Sequence, residues 1–142
     1  MNSEMMTRQT SSPRPVWAIA AGIVTVVFGV LTIISGGRAL FGGAAARAAM
    51  GNAVTFVLWF NFAMGFLYII AGTGLYCWRR WAAHLSAVIA LTTLGVLVAF
   101  GWYVAAGGAY EMRTVGAMLL RSGVWIVIAF MSCRALGCRA LR

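Results

Sequence analysis

The sequence predicts an all-α integral membrane protein, a four-helix transmembrane bundle with both termini in the cytoplasm, and three observations predict it. Of 142 residues, 63% are hydrophobic and only 9% are charged, with a mean hydropathy of +0.92, whereas a soluble domain carries about 25% charged residues. Too few charges are present to coat a water-facing surface. The apolar residues gather into four runs, each near the length of roughly 20 residues that an α-helix needs to cross a hydrocarbon core about 30 Å thick. The arginines fall between those runs, in the pattern that orients membrane helices.

Residues 1–15 are polar and contain Ser11, Ser12, Pro13 and Pro15, so they read as a short disordered cytoplasmic tail, with Pro15 suited to a helix start. The first span covers residues 16–35. Arg8 and Arg14 would also suit the basic end of a signal peptide. The apolar run, however, is longer than the usual core of about 7–15 residues, and the small-residue stretch at 44–46 lies far downstream, so a retained helix is expected. Residues 36–53 form a link in which Gly36, Gly37, Gly42, Gly43 and Gly51 mark turns. Between them, residues 44–50 suit a short interfacial helix with Arg47 on its wet side.

The second span covers residues 54–76, the third 85–106 and the fourth 115–136, the last followed by a cytoplasmic tail, 137–142. Trp78-Arg79-Arg80-Trp81 joins the second and third spans. A connection this short allows only an antiparallel hairpin, with tryptophan at the headgroup level and paired arginines on the cytoplasmic side. In lipid every backbone group must be paired within the segment, so the spans are helices. Together, residues 16–136 constitute one transmembrane domain.

All eleven basic residues are arginine, and lysine and aspartate are absent. Arg8, Arg14, Arg79, Arg80, Arg134, Arg139 and Arg142 lie on one side of the membrane; Arg38, Arg47 and Arg113 lie on the other. The positive-inside rule therefore places both termini in the cytoplasm. The arginine, alanine and glycine skew is what a GC-rich coding sequence gives, which points to a bacterial inner membrane. A formal charge of +9 could suggest nucleic acid, but arginines spaced singly or in pairs between apolar runs do not form a basic face. The expected partners are the lipid bilayer and anionic lipids at its cytoplasmic surface.

Gly22, Gly29 and Gly36 recur every seven residues, as do Gly65 and Gly72, and Gly116 and Gly123. Small residues at that spacing let helix backbones approach closely in a membrane, within the chain or across a homo-oligomer or larger membrane complex. A seven-residue period also implies a left-handed supercoil. Gly29-Val30-Leu31 and Gly95-Val96-Leu97 hint at a two-helix duplication, a match too short to argue from.

Arg121 is the charge inside a span, and an intramembrane ionisable residue is a functional-site hypothesis by default. It lies six positions into the fourth span, about 9 Å below the outer surface, and Asn61 lies about 10 Å deep on the second. Asn61, Gly65, Tyr68 and Gly72 share one helix face, while Trp125, one turn beyond Arg121, offers a cation–π partner. Glu111 begins the fourth helix, where a carboxylate suits the positive dipole end. Asn61, Tyr68, Glu111, Arg113 and Arg121 are the candidate pocket, with Trp102 and Tyr103 at its margin. The competing structural reading is that Arg121 snorkels, or pairs with Asn61, a carbonyl or Glu111, to lock the helices.

Chemistry is thinly represented. Cys77, Cys133 and Cys138 form no CxxC pair and are expected as reduced thiols. With only His84 besides, neither a four-ligand zinc site nor two-histidine haem ligation within one chain is expected. No nucleophile stands near a base in the outer leaflet; Ser86, Thr92 and Thr93 are expected to bond back to helix carbonyls. No cofactor, metal or catalytic residue is therefore assigned.

Four helices in this length resemble the small multidrug-resistance exporters, yet their membrane-embedded first-helix glutamate is absent. A vitamin-K-reductase-like protein would carry a CxxC pair. The four-span layout is also similar to DoxX-like proteins in shape alone, which does not determine function. The leading expectation is a non-catalytic accessory or structural subunit of a membrane assembly. The alternative is a carrier or binder of a small anion or quinone-like molecule through the outer-leaflet Arg/Asn/Tyr cluster, and a membrane enzyme ranks last.

Overall fold

A computed structural model describes residues 13–136. Five helices follow one another: α1 (Val16–Phe41), α2 (Gly43–Met50), α3 (Thr55–Tyr76), α4 (Arg80–Ala105) and α5 (Met112–Leu136), with no strand among the described residues. Four of them, α1, α3, α4 and α5, are long and apolar enough to cross a membrane. The expected tails at 1–15 and 137–142 lie largely or wholly outside the described residues.

The helix ends differ from the sequence expectation for local reasons. α1 runs six residues beyond 35, through Gly36 and Gly37, because a helix flanked by others tolerates glycine when the glycine face is packed. At 26 residues it is about 39 Å long, more than the roughly 30 Å that crossing a hydrocarbon core requires. α4 begins at Arg80 rather than 85, taking Trp81 and His84 into its first turns. α5 begins at Met112, three residues earlier than expected.

Two of the connections are Schellman caps. At the end of α3 the Arg79 amide donates to Gly74 O and the Trp78 amide to Leu75 O; Trp78 supplies the left-handed residue at φ 54°, a rare conformation for a bulky side chain. Its ring is held edge-on to Trp17 of α1 at 5.6 Å. α4 ends the same way, with Gly108 N bonded to Tyr103 O, Gly107 N to Val104 O, and Gly107 at φ 86°. Glycine reaches that conformation without steric cost.

The tightest packing joins α1 to α3. A Cβ added at Gly22 would lie 2.8 Å from Gly72 O, and one at Gly72 would lie 2.9 Å from Gly22 O. Gly29 and Gly65 repeat the arrangement one heptad away, at 2.8 and 3.1 Å from each other's carbonyl oxygens. Two reciprocal glycine pairs thus set an antiparallel register in which backbone meets backbone. Gly116 and Gly123 of α5 have the same spacing, yet a Cβ at either would meet nothing within 4 Å. α5 packs chiefly on α4, and α3 links to α4.

Between these helices lies a core of Met64, Tyr68, Leu75, Ile89, Trp125 and Ile128. A second cluster at the other end joins Val54, Val57, Phe100 and Met118. Two of the hydroxyls buried with them are turned onto their own helix, Ser86 Oγ donating to Ala82 O at 2.8 Å and Ser132 Oγ to Ile128 O at 2.6 Å, and the exposed Thr92 Oγ1 donates likewise to Val88 O at 2.9 Å. Thr93 departs from that expectation, its buried Oγ1 lying beside the Tyr68 hydroxyl rather than on a helix carbonyl. Cys77 is a free, exposed thiol, in line with the expectation, whereas Cys133 is disulfide-bonded, contrary to it. Cys138 lies outside the described residues.

Candidate functional site

Arg121 points inward. It is only 7% exposed, and its Nη1 donates a hydrogen bond to Asn61 Oδ1 on α3, which puts the two residues at one level. The guanidinium carbon stands 5.4 Å from the centroid of the Phe28 ring and 5.8 Å from that of Tyr68. The cation–π partners are therefore on α1 and α3. Trp125 lies instead against Tyr68, with ring centroids 4.9 Å apart, and Phe28 stacks on Tyr68 at 5.9 Å and 20°. Phe28, Tyr68 and Trp125 form a row of neighbouring rings, with the guanidinium beside the first two.

Each of these partners of Arg121 is neutral. Glu111 is the only acidic residue among the described residues, and its Oε1 accepts the Asn52 amide at 3.1 Å. That bond ties the α2–α3 connection to the start of α5. Gly51 makes it possible, being at φ 59° and so close that a Cβ there would lie 2.3 Å from Glu111 Oε1. Glu111 O also receives the Thr114 amide at 2.9 Å, so Glu111 anchors the first turn of α5.

Arg121 Nε and Ser122 Oγ are buried without a hydrogen-bond partner, while the buried Tyr68 hydroxyl lies beside the polar ends of Thr93 and Trp125. Buried polar groups away from water are normally paired, and each unpaired one costs about 1–3 kcal/mol. These polar side chains on three adjoining helices mark this region as a polar interior, unlike the apolar packing around it.

Two cavities flank the Asn61–Arg121 pair. One, of about 240 Å³, is lined by Val57, Asn61, Glu111, Arg113 and Thr114. The other, of about 590 Å³, lies between α1, α2 and α5, with Phe28, Thr32, Arg38, Ala49 and Arg121 on its walls. Met50, at the end of α2, borders both.

Of the five residues singled out in the sequence, the structure thus brings Asn61, Glu111 and Arg113 to the smaller cavity and Arg121 to the larger, joined through the Asn61 bond. Tyr68 is wholly buried in the ring row behind them. Trp102 is 79% exposed on the outside of α4, and Tyr103 lines a separate surface depression with Asn52 and Phe56. Phe28, Thr32 and Arg38 are additions. Their signal was present in the sequence: Phe28, Thr32, Ser35 and Arg38 fall at i, i+4, i+7 and i+10, one helix face, once α1 is continued past residue 35.

No family model matches the chain, and neither curated proteins nor solved structures offer a match.

Proposed function

We propose that this chain is a small multi-pass protein of a bacterial inner membrane, a helical bundle with both termini cytoplasmic, that binds or carries a small organic anion on Arg121. The observation that carries the reading is a nine-tenths-buried guanidinium with neutral partners, an unpaired Nε and a cavity beside it. Replacing a buried charge by apolar groups is commonly neutral or stabilising, so a charge kept at such a site is more economically explained by what it binds. Asn61 fixes the guanidinium's orientation, and the ring faces of Phe28 and Tyr68 stabilise its charge while the site is empty. Nothing in this reading asks for a metal, a cofactor or a nucleophile.

The test is binding of octanoate to the purified protein in phosphatidylcholine nanodiscs, followed through tryptophan fluorescence. Trp125, packed on Tyr68, serves as the internal reporter. Wild type gives a saturable change that Arg121→Gln loses while its circular dichroism stays helical. A wild-type protein that is helical and unresponsive sinks the reading.

The accessory-subunit reading retains one supporting observation, the open glycines Gly116 and Gly123 on α5, a face on which another helix could sit closely. The orientation has its own check. Cys77 is a free, exposed thiol next to the Trp78-Arg79-Arg80-Trp81 turn, so a membrane-impermeant maleimide labels it only after cells are permeabilised. Labelling in intact cells reverses the topology, and would also suit an oxidised Cys133 in a non-reducing compartment.

A further inference from the structure

We infer that the acid held by Arg121 is a single-chain carboxylate taken from the bilayer, with its head on the guanidinium and its hydrocarbon chain in the cleft between α1, α2 and α5. The inference rests on the anion-binding reading and names the ligand class for it.

Four features converge on this class. The cleft, about 590 Å³, has the volume of a site for a drug-sized molecule, far more than a small hydrated ion needs. Its walls are apolar apart from Arg38, Arg121, Thr32 and Ser35, and the Ser35 hydroxyl is already engaged with Thr32 O at 3.2 Å. Leu31 and Ile34 both line it and are more than half exposed on the outer face of α1, so the opening faces the place of lipid tails. α1 and α5 lack the backbone-to-backbone closure that glycine gives α1 and α3, which leaves a lateral way in.

The head chemistry follows from charge and geometry. Arg121 has Nη1 committed to Asn61 and lines the cleft, and a carboxylate is the acceptor with which a guanidinium forms a strong charge-assisted bond. One positive charge is matched by one negative charge. A dianionic phosphate would leave an uncompensated charge at a depth where desolvation is costly. Arg38, ten residues along α1 from Phe28 and so about 15 Å away, stands at the other end of the cleft, where a second cation favours approach of an acid from the headgroup region.

The experiment compares acetate, octanoate, palmitate and methyl palmitate on the full chain in phosphatidylcholine nanodiscs, with Ala49→Trp as the second variant. Ala49 is exposed on α2, a helix with no buried residues, yet it lines the cleft, so its replacement fills the chain's space without disturbing the core. Palmitate is expected to bind on the order of 100-fold more tightly than acetate, because burying hydrocarbon adds to the ion pair. Methyl palmitate, lacking the charge, loses at least about 10-fold. Ala49→Trp weakens palmitate about 10-fold more than it weakens acetate. Acetate binding as tightly as palmitate overturns the bilayer-acid assignment while the anion-binding reading stands. Methyl palmitate binding as well as palmitate removes the carboxylate from the argument. Palmitate binding untouched by Ala49→Trp removes the chain from this cleft. Absence of any carboxylate binding to the folded protein overturns both readings together.

Discussion

The α1–α3 pair and the outer face of α5 carry glycines at the same seven-residue spacing, and the structure treats them in opposite ways. Gly22 and Gly29 meet Gly72 and Gly65 so closely that a methyl group at any of them would press on a backbone oxygen or a neighbouring side chain. Gly116 and Gly123 face open space. Spacing alone therefore tells where two backbones could touch, and the opposing helix decides whether they do. In a membrane no hydrophobic force brings helices together, so close van der Waals contact through small residues is a main source of association. The α1–α3 pair has that contact, whereas the α1–α5 boundary keeps a cleft with a buried arginine in it.

The largest effect should come from breaking the closed pair. Gly29→Leu or Gly65→Leu drives a side chain into the facing backbone, and a loss of about 3 kcal/mol or more is expected in a reversible unfolding assay in detergent. Gly123→Leu, at the same spacing on α5, should stay within about 0.5 kcal/mol in the same assay. A comparable loss for Gly123→Leu would show that the α5 face is occupied by another copy or another protein.

Next comes the Asn61–Arg121 pair. Asn61→Leu leaves the guanidinium with one fewer partner and should cost about 1–3 kcal/mol. Arg121→Met relieves the desolvation of the charge but leaves Asn61 Oδ1 without its donor, so it should change stability by less than Asn61→Leu, within about 1 kcal/mol of neutral. If Arg121→Met proves the more damaging of the two, the arginine is a structural lock and the cleft is incidental. A smaller effect belongs to Gly51→Ala. It strains a positive-φ position and crowds the Glu111 carboxylate, which should cost about 1–2 kcal/mol and raise amide exchange at Asn52 and in the first turn of α5. Unchanged exchange there would mean that Glu111 does not hold the connection closed.

Much of the architecture was legible in the sequence because hydrocarbon imposes strong rules. Four apolar runs, the short helix before Asn52 and the turn at Trp78–Trp81 follow from length, glycine and arginine placement. Helix ends were less legible: α1 passes through Gly36 and Gly37, since Gly36 is packed against Phe62 and its local cost is met by tertiary contact. The site was legible in its two central members, as the depths of Asn61 and Arg121 could be compared by counting residues. Its third wall was not, because Phe28 and Arg38 acquire meaning only when the Arg121 side chain is seen to reach Phe28 and the cleft beside α1. The ring partner was misplaced for a similar reason: Trp125 shares a helix with Arg121, but neighbouring helices put Phe28 and Tyr68 over the guanidinium first.

The sequence by itself determined that this chain has four helices long and apolar enough for a membrane, because charge content, run length and backbone pairing leave few alternatives in lipid. Only the tertiary structure decided which glycines close on a partner, which rings face Arg121, and that Glu111 ties a loop rather than neutralising the arginine. Each of those outcomes depends on which face of one helix meets which face of another. That relation is absent from the periodicity of any single segment.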